Sequence, residues 1–168
     1  DRVRRLRGRV CDGRRRVERR EVAHDPAGWE FDGGWSPDGD WVVYRDSTRG
    51  INDDDEIFIA RADGSERRNL TNEPANDWGP DWSPDGRWIA YVSKRGADPD
   101  RHLNFDIYLI EPRAGASERQ LTTFTGADLD PYWETRPSWS PDSKRIAYLQ
   151  GGEDKWIYFA PWQLAVVD

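Results

Sequence analysis

Acidic side chains set next to aromatic ones are the residues of this chain best suited to chemistry. Asp53, Asp54, Asp55 and Glu56 form one run, Asp77 precedes Trp78, and Asp128, Asp130, Tyr132, Trp133 and Glu134 share one stretch, with Asp98 and Asp100 between them. Carboxylates beside rings suit a basic or amphipathic peptide, through charge complementarity and aromatic anchors. Other chemistries compete. Asn52 to Asp55 could offer oxygens to calcium, but a dedicated calcium loop needs alternating ligands, a central glycine and a distal glutamate, so a solvated acidic run is the simpler account. No Gly-x-Ser-x-Gly pentapeptide occurs, and the two histidines, His24 and His102, fall in expected loops away from any motif serine, which leaves a hydrolytic triad without support. A carboxylate pair for glycoside cleavage depends on three-dimensional separation, and acids this abundant leave it open. Neither a glycine-rich phosphate loop nor zinc-type Cys/His spacing is present. The expectation is therefore no catalytic residue, no cofactor and no metal. Partner contacts are expected at Asp53, Asp54, Asp77, Trp78, Asp128, Asp130, Tyr132 and Trp133. The plainer alternative is loop charge that keeps the protein dissolved, with the tryptophans tucked onto the scaffold.

The scaffold announces itself by repetition. Trp35-Ser36-Pro37-Asp38-Gly39 returns as Trp82-Ser83-Pro84-Asp85-Gly86 and as Trp139-Ser140-Pro141-Asp142-Ser143, after 47 and then 57 residues. Such recurrence marks one supersecondary unit that cannot bury its apolar face without neighbours. Proline presets φ at the second turn position, aspartate tolerates the third and bonds nearby amides, and glycine takes the left-handed exit, so the phrase is a hairpin turn with tryptophan as core. Alternating apolar strands follow at Val42-Val43-Tyr44, Ile89-Ala90-Tyr91 and Ile146-Ala147-Tyr148. Second runs come at Ile57-Phe58-Ile59, Ile107-Tyr108-Leu109 and Leu164-Ala165-Val166. The first two units close with Asp63-Gly64 before Arg68-Asn69-Leu70-Thr71, and Ala114-Gly115 before Arg119-Gln120-Leu121-Thr122. Four short strands per unit, with no helical period, predict an all-β fold, a β-propeller of four-stranded blades.

Antiparallel order decides which loops share a face. The Ser-Pro-Asp turns and the turns between third and fourth strands lie on one side. The long segments 45–56, 72–79, 94–105 and 123–136 lie on the other, and they carry the acids and rings named above. Loops held by a rigid scaffold are where binding residues concentrate.

Together, Trp-Ser-Pro-Asp-Gly, Ile89-Ala90-Tyr91, Asp106-Ile107-Tyr108-Leu109 and Arg119-Gln120-Leu121-Thr122 resemble the propeller repeat of the TolB family, over about residues 17–168. Asn76-Asp77-Trp78-Gly79-Pro80-Asp81-Trp82 is similar in style. The repeat also resembles the propeller domain of prolyl-oligopeptidase-type serine peptidases, most evidently from Leu121 to Asp168. The first resemblance implies a non-enzymatic scaffold for a protein or peptide partner in the bacterial cell envelope or periplasm. The second implies a ring that filters access to a hydrolase domain outside this sequence.

Composition narrows the partners. No stretch approaches the roughly 18 consecutive apolar residues of a membrane span, so no membrane insertion is expected. A lone cysteine, Cys11, excludes an internal disulfide framework and suits either redox compartment, so a cytoplasmic location stays open beside the periplasmic one. Residues 1–20 carry a balance of +7 and the remaining 148 residues carry −14. A nucleic-acid arm is one account of that basic stretch. The other is repeat self-similarity: Arg19 to Ala27 mirrors Arg67 to Ala75, which makes 17–34 the end of a preceding blade and leaves no nucleic-acid partner expected. Residues 1–16 match the template poorly; a disordered basic segment and a degraded strand turning at Asp12-Gly13 both fit. The expected blades are 35–72, 82–122 and an incomplete 139–168. With no methionine, and Asp168 following a third strand, the sequence suggests an arc of three to four blades from a longer ring.

Overall fold

The computed structural model describes residues 21–23, 30–47, 55–95, 104–128, 135–152 and 161–168. Every regular element among them is a strand. Blade I comprises β1 (Glu30–Trp35), β2 (Trp41–Ser47), β3 (Asp55–Arg61) and β4 (Arg68–Asn69), paired in that order. Blade II repeats the meander with β5 (Asp77–Trp82), β6 (Ile89–Ser93), β7 (Asp106–Ile110) and β8 (Arg119–Gln120). The third sheet holds β9 (Ser138–Trp139), β10 (Ile146–Gln150) and β11 (Gln163–Val167). All neighbouring strands pair antiparallel, and the strand runs expected from sequence are all present.

Blades stack face to face because the two-residue period of a strand sends alternate side chains into opposite seams. In β6, Ile89 and Tyr91 join Val43, Ile57, Ile59 and Leu70 of blade I. Ala90 and Val92 turn the other way, to meet Ile107, Ala127, Ile146 and Tyr148. Burial on both faces is why the strand reads as an unbroken apolar run. On the far side of blade I, Val22 and Ala23 pack against Tyr44, Phe58 and Ala60. Tyr44 and Tyr91 each stand nine residues past a repeat tryptophan, so Val22 meets Tyr44 much as Leu70 meets Tyr91.

The repeated phrase closes the β1–β2, β5–β6 and β9–β10 hairpins. Gly39, Gly86 and Ser143 sit at φ of 75°, 72° and 58°, each donating its N–H to the serine carbonyl three residues back. The serine is as structural as the proline. Ser36, Ser83 and Ser140 each donate a hydroxyl hydrogen bond to the aspartate two residues on, and accept the N–H of Trp41, Trp88 or Arg145 on the returning strand. The expectation that the phrase's tryptophan is core holds where a preceding blade covers it. Trp82 is buried against blade I, and Trp139 bonds to blade II. Trp35 is 61% exposed among the described residues, because its burial depends on a blade before it rather than on its own sheet.

Candidate functional site

Strands β2, β3, β5, β6, β7 and β10 have one set of ends on the long-loop side, and there the sequence places acids inside the protein. Ladder pairing runs further than expected: Asp46 pairs with Glu56, Ser47 with Asp55, and Asp77 with Ser93. Part of what was expected as loop is therefore strand. Asp77 and Asp128 are fully buried, not displayed to solvent, while Trp78 is half-buried with its ring edge-on to Phe105 at 4.9 Å. Asp53, Asp54, Asp130, Tyr132 and Trp133 lie outside the described residues, as do Asn52, His24, His102 and Cys11. Asp55 is tied to Arg45 at 3.4 Å and donates its N–H to Asn76 Oδ1.

The two seams share one construction. In the first, Thr71 Oγ1 accepts the Ile57 N–H at 3.0 Å and donates to Glu56 at 2.5 Å, while Asn72 N–H caps the same carboxylate at 2.6 Å. Six residues after that threonine comes Asp77. In the second, Thr122 Oγ1 accepts the Ile107 N–H at 2.9 Å beside Asp106, and Asp128 follows six residues later. Gln120 donates to Asp106 and Gln150 to Asp128. The crossover backbone is sewn in equally: Lys94 N–H bonds the Asn76 carbonyl, and Gly151 N–H bonds the Ala127 carbonyl at the corresponding position. A threonine between two acids from successive sheets is thus the anchor from which each loop departs.

Electrostatics follow from burial. Asp77 is pushed up to about 7 by desolvation, against the pull of the Ser93 hydroxyl, the Arg95 charge and the Thr71 hydroxyl. Its carboxylate oxygens make no direct hydrogen bond, and the Arg95 guanidinium stands 3.7 Å away. Desolvation, then the neighbouring Asp128 charge, lifts Asp106 to about 6. Asp128 is itself raised by burial, with the Thr122 and Gln150 hydrogen bonds opposing. Arg95 caps this end of blade II. It bonds Ser93, Tyr91 and Glu118 and lies over the Tyr108 ring at 4.6 Å. In blade I the same service comes from Arg67, which bonds Tyr44 and Asp46 and covers Phe58 at 4.3 Å. The two arginines come from different loops, so repeat alignment does not match them.

The residues missed from sequence are Thr71, Asp106 and Thr122, while Glu56 reads there only as one of a run of loop acids. A signal was present: an acid directly before an isoleucine run, and Leu-Thr followed six residues after the threonine by an aspartate, twice over. Among the described residues there is no group of three or more His, Cys, Asp or Glu side chains that could hold a metal, and no helix long and apolar enough to cross a membrane.

Similar proteins agree on architecture. No family model matches the chain. An uncharacterized protein of Agrobacterium fabrum is 30% identical over 118 residues, covering 69% of this chain and 38% of the relative. A TolB structure from Agrobacterium tumefaciens superposes with a TM-score of 0.63 at 24% identity, over 83% of this chain and 45% of that one. A puromycin-hydrolyzing peptidase of Mycobacterium tuberculosis gives 0.64 at 20% identity, over 89% of this chain and 22% of that one. The chain thus spans less than half the length of each. Its fold is that of TolB-like β-propeller blades, a repeat shared with peptidase propellers.

Proposed function

We propose that this chain is a non-catalytic propeller scaffold that binds a protein or peptide partner through its acidic, aromatic loop face. The observation that carries this is the repeated anchor. Two acid–threonine junctions hold the roots of consecutive loops at one end of the blades, the arrangement in which surface loops become binding loops. Asp53, Asp54, Asp130, Tyr132 and Trp133 are the contact residues on this reading. Asp77, Trp78 and Asp128 act as supports at the loop roots. A basic or amphipathic peptide suits such a face, and negative charge there would speed its encounter in a salt-dependent way. By the TolB likeness, the site of action is outside the cytoplasm, in a cell-envelope assembly.

Fluorescence anisotropy with a labelled Lys-Trp-Lys-Leu-Lys peptide and the full-length protein tests this. Binding should weaken about tenfold in the Asp53→Asn/Asp130→Asn/Trp133→Ala variant, a loss of roughly 1.4 kcal/mol. It should also fall steeply between low and physiological salt. Equal affinity in variant and wild type would sink the reading. The peptidase superposition favours a second one, in which the same blades gate a hydrolase domain. Hydrolysis of aminoacyl-naphthylamide substrates by the full-length protein would establish that alternative.

A further inference from the structure

On the turn face, opposite the long loops, the two seams differ. The second is stitched twice: Ser143 Oγ accepts the Asp85 N–H at 3.0 Å, and Trp139 Nε1 donates to the Asp81 carbonyl at 3.2 Å. At the first seam the serine's place is taken by Gly86, which has no side chain to offer. The tryptophan's place is taken by Trp82, whose buried Nε1 has no hydrogen-bond partner. A buried donor left unmade costs roughly 1–3 kcal/mol. Where the serine stitch would lie there is a cavity of about 250 Å³, against about 110 Å³ at the second seam.

The walls of the larger cavity have a definite chemistry. Pro37, Trp41, Trp82 and Pro112 supply apolar surface, and Asp38 and Asp85 supply two carboxylates; no cation lines it. Both carboxylates are ionised. Each uses Oδ1 for a serine hydroxyl and a backbone N–H, and those bonds hold it below its usual range. Arg61 and Arg68 stack on Trp41 from outside the cavity lining, and both are drawn to Glu66, with Arg61 also 3.5 Å from Asp40.

We propose that this unstitched slot between the first two blades is a second binding site, which takes an arginine side chain carried by an extended peptide. The guanidinium sits between Asp38 and Asp85, its planar fork matched to carboxylate oxygens, and its aliphatic stem lies along the prolines and indoles. Lysine fits less well, as a hydrated point charge without a fork.

Anisotropy of a labelled Gly-Leu-Arg-Pro-Leu-Gly peptide on the full-length protein tests the site, with Glu in place of Arg as the control peptide. Gly86→Ser should supply the missing stitch, since Ser143 holds the same turn position at φ 58°. The expected result is saturable binding of the arginine peptide that weakens about tenfold in Gly86→Ser and in Asp38→Asn/Asp85→Asn. Binding should be unchanged in Asp142→Asn, which alters the equivalent turn aspartate of the third hairpin, outside the slot. Because Asp38 and Asp85 are exposed, the double variant decides the matter if Gly86→Ser does not fold. Absence of wild-type binding, equal binding of the Glu peptide, or unchanged binding in the Asp38→Asn/Asp85→Asn variant would each overturn the proposal. So would binding that is lost only in Asp53→Asn/Asp130→Asn, which would return the peptide to the loop face.

Discussion

On the turn face, Asp38, Asp85 and Asp142 each accept a hydroxyl and a backbone N–H from within their own turn, and these bonds lower their proton affinity in full contact with water. At the opposite ends of the same blades, Asp77, Asp106 and Asp128 are buried, and desolvation raises theirs. One residue type is used in two opposed ways. A turn aspartate completes a structure six residues long, so its loss stays local. A seam aspartate is reached only when two sheets meet, so its state reports on whether the blades are together.

The sharpest way to break that contrast is Thr71→Val. It orphans the Ile57 N–H and removes the hydroxyl from Glu56 together. One unsatisfied buried N–H and the loss of a hydrogen bond to a carboxylate that keeps the Asn72 N–H predict a loss of roughly 3 kcal/mol in urea denaturation, with a single transition. A loss under about 1 kcal/mol would mean the threonine is not the anchor.

Next in size is the pH response of Asp77→Asn. A carboxyl whose folded pKa is raised contributes stability that is fully present below its unfolded value near 3.8 and is lost as pH rises through about 7. The amide mimics the protonated form, so the variant should lose most of the pH dependence of stability that wild type shows between pH 4 and 7. Parallel stability profiles for variant and wild type across that window would contradict it.

Ser83→Ala tests the other face. The hydroxyl is buried, accepts the Trp88 N–H and donates to Asp85, so its removal should cost about 1 kcal/mol by thermal melt. Smallest is Asp142→Asn, which keeps an acceptor for the Lys144 N–H and the Ser140 hydroxyl. Its melting temperature should fall slightly below wild type near pH 7. The carboxylate's contribution, present above about 3.8, is lost as pH falls through its lowered folded value, so wild type and variant should differ only above that fall.

Much of the fold was legible because the repeat is local chemistry. Pro37 and Gly39 specify a turn wherever they stand, and Val42-Val43-Tyr44 alternates like a strand whatever packs on it. The face assignment of the loops also followed, since antiparallel order alone decides it. The candidate site was legible only as a list of acids. In sequence Asp77 looks like any other loop acid, set beside Trp78. What separates Asp77 is ladder pairing with Ser93 and a place beneath Thr71, both set by partners outside its own segment.

The sequence by itself determined the repeat, its turns, the strand order and the end of the blades where the long acidic segments gather, because each depends on residues within one unit. Only the tertiary structure decided which acids are buried and raised, which tryptophans are covered, and that one seam is stitched while the other holds a slot. Those properties belong to surfaces of two sheets in contact. Ser143 and Gly86 occupy the same turn position, and the difference between them is expressed across the seam, on a neighbouring blade.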